Sequence, residues 1–214
     1  MSKIYKSDKM KFKICGMKFQ ENIQQVAALQ PDYLGFIFYK KSKRHFEGTI
    51  PQISESIQKV GVFVDAVARF IKEKINHYEL NVIQLHGEES PEFCQQFYKT
   101  GVSVIKVFSV GKSFNFKILD SYESVVDYFL FDTKGAQKGG NGVTFDWTLL
   151  ENYPSQKPYF LSGGIGLESL NDLKQFKESK AYKYCYAIDV NSRFEDYAGF
   201  KNLKKLKTFK NSIQ

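Results

Sequence analysis

Short apolar runs alternate along this chain with longer segments in which apolar residues recur at helical spacing. The runs 33–38 and 128–131 are apolar at consecutive positions, which is typical of parallel strands covered on both faces. The same reading predicts eight strands, at 11–14, 33–38, 59–64, 81–85, 102–107, 128–131, 159–161 and 184–188.

Helical spacing is found between these strands. Pro31 ends the first helical pattern, and Ser90 followed by Pro91 is the start signal of another helix, running to about residue 100. Helices are predicted over 20–30, 50–57, 66–77, 91–100, 114–123, 146–152, 167–177 and 201–210.

Eight strand–helix units in succession predict a (β/α)8 TIM barrel. The 214 residues are few for that fold, which implies a single domain with small insertions. Residues 1–10 are polar and are predicted to be a flexible N-terminal lead-in, and residues 11–214 the barrel domain. The runner-up is a doubly wound open sheet.

Composition agrees with a large buried core, because 43% of the residues are hydrophobic and 16% are aromatic. No apolar run reaches the ~18 residues that would suggest a membrane span. The N-terminus lacks the apolar block of a signal peptide, so a cytoplasmic protein is expected. Cys15, Cys94 and Cys185 form no CxxC pair, which predicts free thiols and neither a disulfide framework nor a zinc site.

The net charge of +8 does not by itself indicate a nucleic-acid-binding protein, because the lysines are scattered. The densest run, 201–207, has leucines at helical spacing and is interpreted as the solvated face of a terminal helix. A positive field suits an anionic small molecule, and we expect a phosphorylated substrate, with no nucleic acid or membrane as partner.

Polar and titratable residues gather at the predicted C-terminal ends of the strands, which share one face of a barrel. Cys15 follows the first strand and Asp132 the sixth. A thiolate can accept a proton and a carboxylic acid can donate one, so this pair could shift a proton on a sugar phosphate without metal or cofactor. Lone cysteines and loop aspartates are nevertheless commonplace.

Other strand ends offer binding groups. Ser162-Gly163-Gly164 precedes a predicted helix, a pattern that cradles phosphate, and Asn191-Ser192-Arg193 after strand eight would complete the cradle. Arg44, in a basic loop, could hold a carboxylate in bidentate fashion or be an ordinary surface arginine.

Three further strand-end residues are less specific. His86, with Gln84 two residues before it, is a candidate base, but a single histidine without a second ligand is more often a structural hydrogen-bonding residue. Asp65 is similarly ambiguous, and Asp189 ends the eighth strand. A Gly/Lys-rich loop spans 134–142.

Taken together and in order, these motifs resemble the phosphoribosylanthranilate isomerases of tryptophan biosynthesis over almost the whole chain, from about Phe12 to Phe209. The segments that carry the resemblance are KICGM (13–17), DYLGFIFYKKSKRHF (32–46), VGVFVD (60–65), VIQLHGEES (82–90), IKVF (105–108), FDTKG (131–135) with GGNGVTFDW (139–147), LSGGIG (161–166) and AIDVNSRFE (187–195).

The resemblance implies an Amadori rearrangement of N-(5-phosphoribosyl)anthranilate, with Cys15 as general base and Asp132 as general acid. It implies that Arg44 holds the anthranilate carboxylate, and that Gly163 and Gly164 bind the phosphate with the loop after strand eight. Gln84, His86, Asp189, Ser192 and Arg193 complete the predicted substrate-binding set. No metal or cofactor is implied, and the chain is expected to be a monomer or a homodimer.

The chemistry sets two expectations for the pair. Asp132 must begin protonated, which requires a pKa raised by a partly desolvated pocket. Cys15 must act as a thiolate stabilised by its setting.

The chain departs from the family pattern in two places. Arg193 stands where a glycine is usual, which puts the backbone contact with phosphate in question, although the guanidinium could bind phosphate directly. Lys43 stands where proline commonly precedes the arginine, and this should loosen the loop that holds Arg44. We therefore expect a somewhat weaker substrate affinity, and an unchanged Michaelis constant in Lys43→Pro would contradict this.

Two other functions fit parts of the pattern. A non-catalytic sugar-phosphate-binding barrel would bind phosphate at Gly164 without turnover. Another phosphate-binding barrel enzyme would need other residues: a catalytic lysine and glutamate for an indole-glycerol-phosphate synthase, or a metal-binding histidine and aspartate set for a pentose-phosphate epimerase.

Overall fold

Eight parallel strands close into a barrel in the computed structural model, which describes residues 10–133 and 145–213. Each strand pairs with its neighbour in sequence, and the eighth pairs with the first. The strands are β1 Lys11–Ile14, β2 Tyr33–Ile37, β3 Gln58–Phe63, β4 Val82–Leu85, β5 Ser103–Val110, β6 Tyr128–Thr133, β7 Tyr159–Leu161 and β8 Cys185–Val190. The predicted barrel is confirmed, and the open sheet is wrong.

Fewer α-helices than predicted join these strands. Within the described ranges there are five, α1 Gln20–Ala27, α2 Ala68–Tyr78, α3 Pro91–Gln95, α4 Leu170–Glu178 and α5 Leu203–Ile213. Other connections contain 3₁₀ segments, at Phe116–Ser121, Trp147–Asn152, Leu167–Ser169, Lys180–Tyr184 and Ser192–Phe194.

The predicted helix over 50–57 is wrong. The Ser54 hydroxyl accepts a hydrogen bond from the Ser56 amide and contacts the Ser56 hydroxyl, and such local side-chain bonds compete with helix formation. Ile57 is nevertheless buried, and Ile50 and Ile53 pack against the core. The apolar spacing therefore reflects burial of an irregular segment.

The predicted helices 114–123 and 146–152 are tight 3₁₀ segments. The side chains of Asn115 and Asp146 each accept from the amide two residues later, which favours a tight turn at the start. Helix α3 starts as predicted, because the Ser90 hydroxyl accepts from the Phe93 amide, but it ends at Gln95 and not near residue 100.

A small antiparallel pair, β9 Glu195–Tyr197 and β10 Phe200–Lys201, follows the barrel and was not predicted. The prediction that Lys201 begins the solvated terminal helix is wrong, because Lys201 lies in β10 and is 1% exposed. Its ammonium group is directed at Glu195, and α5 begins two residues later. Lys204, Lys205 and Lys207 are exposed on α5, as predicted.

The hydrophobic core has two parts. A larger part lies between the strands and the outer segments, and it contains Phe12 and Ile14 of β1. The smaller part fills the barrel, and includes Val60, Leu130 and Phe160. Since successive side chains of a strand point to opposite faces, Lys13 and Cys15 share the inner face of β1.

Two predicted segments lie outside the described residues. These are residues 1–9 of the lead-in and the whole Gly/Lys-rich loop, 134–142, since residues 134–144 are not among those described. Met10, the first residue described, is buried in the outer core.

Candidate functional site

A cavity opens at the C-terminal ends of the barrel strands. Eight of the predicted site residues line it, Cys15, Gln84, His86, Asp132, Gly163, Gly164, Asp189 and Ser192. Arg44 and Arg193 are not among the lining residues. The fold thus brings together residues from β1, β4, β6, β7 and β8 that lie up to 177 positions apart in sequence, between Cys15 and Ser192.

Cys15 lies directly after β1 and is 5% exposed. Its amide donates to the Val190 carbonyl at 2.9 Å, which fixes it beside β8. Gly35 of β2 leaves room for the thiol, since a Cβ built at this glycine would lie 2.8 Å from Sγ. Burial raises the pKa of the Cys15 thiol, and the nearby Lys13 and Lys201 ammonium groups oppose that rise. The expected stabilisation of the thiolate is therefore present but is outweighed by burial.

Lys13 and Asp189 form an ion pair beneath Cys15. Their register positions face one another across β1 and β8, and Nζ lies 2.8 Å from Oδ2. The Lys13 side chain is fully buried and lies close enough to the Cys15 thiol to interact with it electrostatically. Desolvation lowers the pKa of Lys13, but the charges of Asp189 and Cys15 outweigh it and hold this pKa above its ordinary value. Lys13 is thus a buried cation facing the thiol.

One oxygen of Asp189, Oδ1, is buried without a hydrogen-bond partner among the described residues, and the same holds for Gln84 Oε1. Both side chains line the cavity. Buried acceptors without a protein partner are costly, so two of them at one cavity mark a place where hydroxyl or amine groups of a ligand would bind.

Asp132 lies within β6, one residue from its end, and is 7% exposed. Its Oδ1 accepts from the Thr133 amide at 2.9 Å, and its Oδ2 lies 3.4 Å from His86 Nε2. The other ring nitrogen of His86, Nδ1, lies 3.2 Å from Gln84 Nε2. Because an amide nitrogen only donates, Nδ1 accepts and Nε2 carries the proton toward Asp132. His86 therefore lies between Gln84, which it hydrogen-bonds, and the carboxyl group of Asp132.

Gly163 and Gly164 form the predicted cradle after β7. Both have positive φ angles, 94° and 67°, which favour glycine. A Cβ at Gly163 would also lie 2.2 Å from the Thr133 hydroxyl. Within the described part of the chain, their amide N–H groups donate to no protein acceptor. Two unengaged amides beside a cavity form a suitable anion site.

The backbone of the loop after β8 shows whether the position of Arg193 requires a glycine. Ser192–Phe194 is a 3₁₀ turn, and Arg193 has no positive φ angle, so this position does not require glycine. The guanidinium lies 3.3 Å from the Glu168 carboxylate and is half exposed. One of its contacts in this structure is therefore with Glu168.

Arg44 is held by a carboxylate of the chain itself. Its Nε lies 2.8 Å and its Nη2 2.6 Å from the two oxygens of Glu195. The hydrogen bond with Glu195 is the main reason that the pKa of Arg44 is raised. The loop before it has local hydrogen bonds, from the Arg44 amide to the Ser42 hydroxyl and from the His45 amide to the Ser42 carbonyl.

Asp65 lies away from the cavity. It has a φ of 48°, its amide donates to Glu89, and its carboxylate accepts from the Glu88 amide. These bonds join the loops after β3 and β4. Its position is structural.

Sequence reasoning did not identify Lys13, Glu195 and Lys201. The alternation of Lys13 with Phe12 and Ile14 gave a usable signal, because it places Lys13 on the face of Cys15. No comparable signal existed for Glu195 and Lys201, since the short hairpin that joins them has no extended apolar pattern.

Among residues 10–133 and 145–213, no cluster of three His, Cys, Asp or Glu side chains suits a metal ion. The three cysteines are free thiols. None of the described helices has the length and apolar character needed to cross a membrane.

Comparison with known proteins agrees with this geometry. Residues 12–212 match the family model of N-(5'-phosphoribosyl)anthranilate (PRA) isomerase. A similar relative is the N-(5'-phosphoribosyl)anthranilate isomerase of Parabacteroides distasonis, 43% identical over 206 residues, which cover 94% of this chain and 91% of the relative.

Two solved structures are also similar. One, of monomers generated from the dimeric phosphoribosylanthranilate isomerase of Thermotoga maritima, has a TM-score of 0.71 and 29% identity. The other is a phosphoribosylanthranilate isomerase in complex with reduced 1-(o-carboxyphenylamino)-1-deoxyribulose 5-phosphate, with a TM-score of 0.74 and 27% identity. Each match covers 95% of this chain and 98% of the solved one.

Proposed function

The chain belongs to the N-(5'-phosphoribosyl)anthranilate isomerase family, and we propose that Cys15 and Asp132 are the residues that move protons in its reaction. The enzyme converts N-(5'-phosphoribosyl)anthranilate to 1-(2-carboxyphenylamino)-1-deoxyribulose 5-phosphate in tryptophan biosynthesis. This is an Amadori rearrangement, which opens the ribose ring and moves a proton from C2.

In the first step, Asp132 donates its proton to the ring oxygen as the C1–O bond breaks, giving an open-chain Schiff base. The position of Asp132 on the cavity wall beside His86 supports this assignment. The Thr133 amide donates to one carboxyl oxygen of Asp132 and the His86 ring lies 3.4 Å from the other, so the carboxyl group is positioned before substrate binds. Such preorganisation is the usual source of efficiency in proton transfer.

In the second step, the Cys15 thiolate removes the C2 proton, which the positive Schiff-base nitrogen makes acidic. The electrons form a C1=C2 enaminol, in which C2 carries the hydroxyl group. Protonation of C1 and loss of the C2 hydroxyl proton then give the ketone. Burial disfavours the thiolate, and the Lys13 ammonium group is the main feature that favours it. Lys13 therefore makes the Cys15 thiolate more available as the base than burial alone would allow.

The remaining lining residues bind the substrate in this proposal. The free amides of Gly163 and Gly164, with Ser192, bind the phosphate, and Asp189 and Gln84 accept hydrogen bonds from the sugar chain. Arg44 binds the anthranilate carboxylate. The observation that carries the proposal is that a thiol, a carboxyl group and an unengaged Gly-Gly cradle all face one cavity.

The test is the loss of substrate fluorescence during turnover in wild type, Cys15→Ala and Asp132→Asn. Each substitution removes one proton-transfer group, so we expect kcat to fall by about 10²–10⁴-fold in each. Cys94→Ala is the matched control, because Cys94 is a buried thiol on α3 that does not line the cavity. Near-normal turnover by Cys15→Ala would show that the proposed base is wrong.

We also propose that the enzyme acts in the cytoplasm, as a monomer or a homodimer. A phosphorylated biosynthetic substrate supports the location, and the dimeric relative from Thermotoga maritima supports the second state. Sedimentation equilibrium at several protein concentrations distinguishes the two states.

A further inference from the structure

Glu195 is a buried carboxylate that the proton-transfer steps do not use. Its side chain is 5% exposed and lies between two cations, Arg44 and Lys201. It accepts from Arg44 Nε at 2.8 and 3.0 Å, from Arg44 Nη2 at 2.6 Å and from Lys201 Nζ at 2.7 Å. The Gly199 amide donates to it at 3.1 Å.

The geometry of the Arg44 contact decides which part of the guanidinium is left for a ligand. Glu195 binds the edge formed by Nε and Nη2. A guanidinium has five N–H groups, and this contact leaves the opposite edge, formed by Nη1 and the second hydrogen of Nη2. That edge suits a second carboxylate in bidentate fashion.

The net charge of Arg44, Lys201 and Glu195 also favours the binding of an anion. Burial lowers the pKa of Lys201 to about 8, so the lysine is still mostly charged at neutral pH. At that pH Arg44 and Lys201 contribute two positive charges and Glu195 one negative charge, which leaves one unit of positive charge. A single Arg44–Glu195 pair would be neutral and would attract an anion weakly. Arg44 and Lys201 together hold the pKa of Glu195 below its ordinary value despite burial, so the carboxylate is ionised.

Lys201 is fixed independently of Arg44. Its Nζ donates to Asn191 Oδ1 at 2.7 Å, and its amide donates to Asn22 Oδ1 at 2.7 Å. Asn191 lines the cavity. Through Lys201, the hairpin that carries Glu195 is thus tied both to the cavity wall and to α1.

A cluster of partly exposed aromatic rings holds the outside of the same hairpin. Tyr197 stacks on Phe200 with ring centroids 4.9 Å apart, and Phe19, just before α1, packs against both rings at 5.5 and 5.9 Å. These contacts explain why Phe19 and Tyr197 are large apolar residues at an exposed site. They keep the hairpin docked beside Arg44.

We propose that Glu195 is the positioning residue for recognition of the substrate carboxylate, because it orients Arg44 so that the free guanidinium edge binds that group. Lys201 restores the positive charge that Glu195 neutralises. The inference rests on the proposed role of Arg44 and adds the residues that make that role specific. Substrates and inhibitors with an aromatic ortho-carboxylate are the ligand class concerned.

The test compares the affinity of two product analogues in each variant. One is reduced 1-(o-carboxyphenylamino)-1-deoxyribulose 5-phosphate, and the other is the same compound with phenyl in place of carboxyphenyl. We expect wild type to prefer the carboxylate by roughly 10- to 100-fold, as a charge-assisted bidentate contact would give. Glu195→Gln should lose most of that preference while its affinity for the phenyl compound stays within about twofold.

Turnover provides the second readout. In Glu195→Gln, KM for the substrate should rise by about tenfold and kcat should change by less than threefold, because Cys15 and Asp132 are untouched. A merely structural role would lower both affinities together. Asp196→Asn is the matched control, since Asp196 lies in the same hairpin, is exposed and contacts Asn202.

Arg44→Ala distinguishes a failure of the positioning role of Glu195 from a failure of the proposed role of Arg44. If Arg44→Ala loses the carboxylate preference and Glu195→Gln keeps it, the positioning inference is wrong while the role of Arg44 stands. If Arg44→Ala keeps the preference, both are wrong. Should Glu195→Gln fail to fold, Glu195→Gln/Lys201→Met removes one of the buried cations, and retention of the full preference there overturns the inference.

Discussion

Two buried lysine–carboxylate pairs in this barrel have the same N–O distance, but one lies inside the barrel and the other lies outside it. Lys13 and Asp189 are 2.8 Å apart inside the barrel, and Lys106 and Glu89 are 2.8 Å apart outside β5. All four side chains are at most 5% exposed. Buried ion pairs of this kind are stable only when hydrogen bonds satisfy the remaining polar atoms.

The outer pair is fully satisfied. Glu89 accepts from the amides of Asp65 and Gly87, and Lys106 donates to the Gly87 carbonyl at 2.7 Å as well as to Glu89. The Tyr122 hydroxyl donates to the Glu89 carbonyl at 3.0 Å. These bonds hold the loop that carries His86, so this pair is structural.

The inner pair is incompletely satisfied on the side that faces the cavity. Asp189 Oδ1 has no partner in the described chain, and Ser162 reaches Oδ2 only at 3.4 Å. Lys13 faces a thiol whose pKa burial raises and whose thiolate the Lys13 ammonium group favours. The comparison supports the proposed assignment, because the completely hydrogen-bonded pair holds loops of the fold, whereas the incompletely bonded pair lies at the cavity where we propose that the reaction occurs.

The largest expected effect is a difference in stability between variants of Glu89, in the outer pair, and Asp189, in the inner pair. Glu89→Gln places amide hydrogens against backbone N–H donors, so we expect the free energy of unfolding to fall by about 3–5 kcal/mol. Asp189→Asn removes fewer bonds and should cost less stability, but it should lower kcat/KM by roughly 10- to 100-fold. Urea unfolding and turnover measured on both variants check this. A larger loss of stability in Asp189→Asn would break the comparison.

The next prediction concerns the cation of the inner pair and has a defined pH dependence. Lys13→Met removes the positive charge that favours the Cys15 thiolate, so the pKa of Cys15 should rise further. The pH midpoint of iodoacetamide alkylation should move upward, and the rate at pH 8 should fall. Burial raises the pKa of Cys94 to about 12, and burial also raises that of Cys185, so their background reaction is small.

Lys13→Met/Asp189→Asn is the control for this measurement. Asp189 itself raises the pKa of Cys15, so removing both charges should restore part of the alkylation rate. An unchanged midpoint in the single variant would show that Lys13 does not act on the thiol.

The smallest expected effect concerns two hydroxyl groups, that of Tyr122, which contacts Glu89 of the outer pair, and that of Ser162, which contacts Asp189 of the inner pair. Tyr122→Phe loses the bond to Glu89 and should lower the free energy of unfolding by about 1 kcal/mol with turnover unchanged. Ser162→Ala loses only a long contact with Asp189, so its stability should stay within about 0.5 kcal/mol while KM rises several-fold. Thermal unfolding and Michaelis constants measured side by side decide this, and equal effects on KM would contradict it.

Much of the fold and of the candidate site could be read from the chain, because both depend on local patterns. Apolar runs located all eight strands, and residues just after or at the end of those runs, such as Cys15 and Asp132, could be placed on one face. The helix over 50–57 failed because isoleucines at helical spacing also suit an irregular segment that packs on the core. The prediction for Lys201 failed because a lysine just before Leu203 and Leu206, at helical spacing, has the pattern of an amphipathic helix, whereas the structure places it in β10 beside Glu195.

The sequence by itself determined the barrel, the family and the thiol, carboxyl and Gly-Gly groups around one cavity, because each is encoded by neighbouring residues and a repeated strand–helix order. Only the tertiary structure decided which charges face one another. Lys13 with Asp189, and Arg44 with Glu195, lie 176 and 151 residues apart. The charge state and orientation of such groups depend on burial and on partners across the closed barrel, which no local pattern contains.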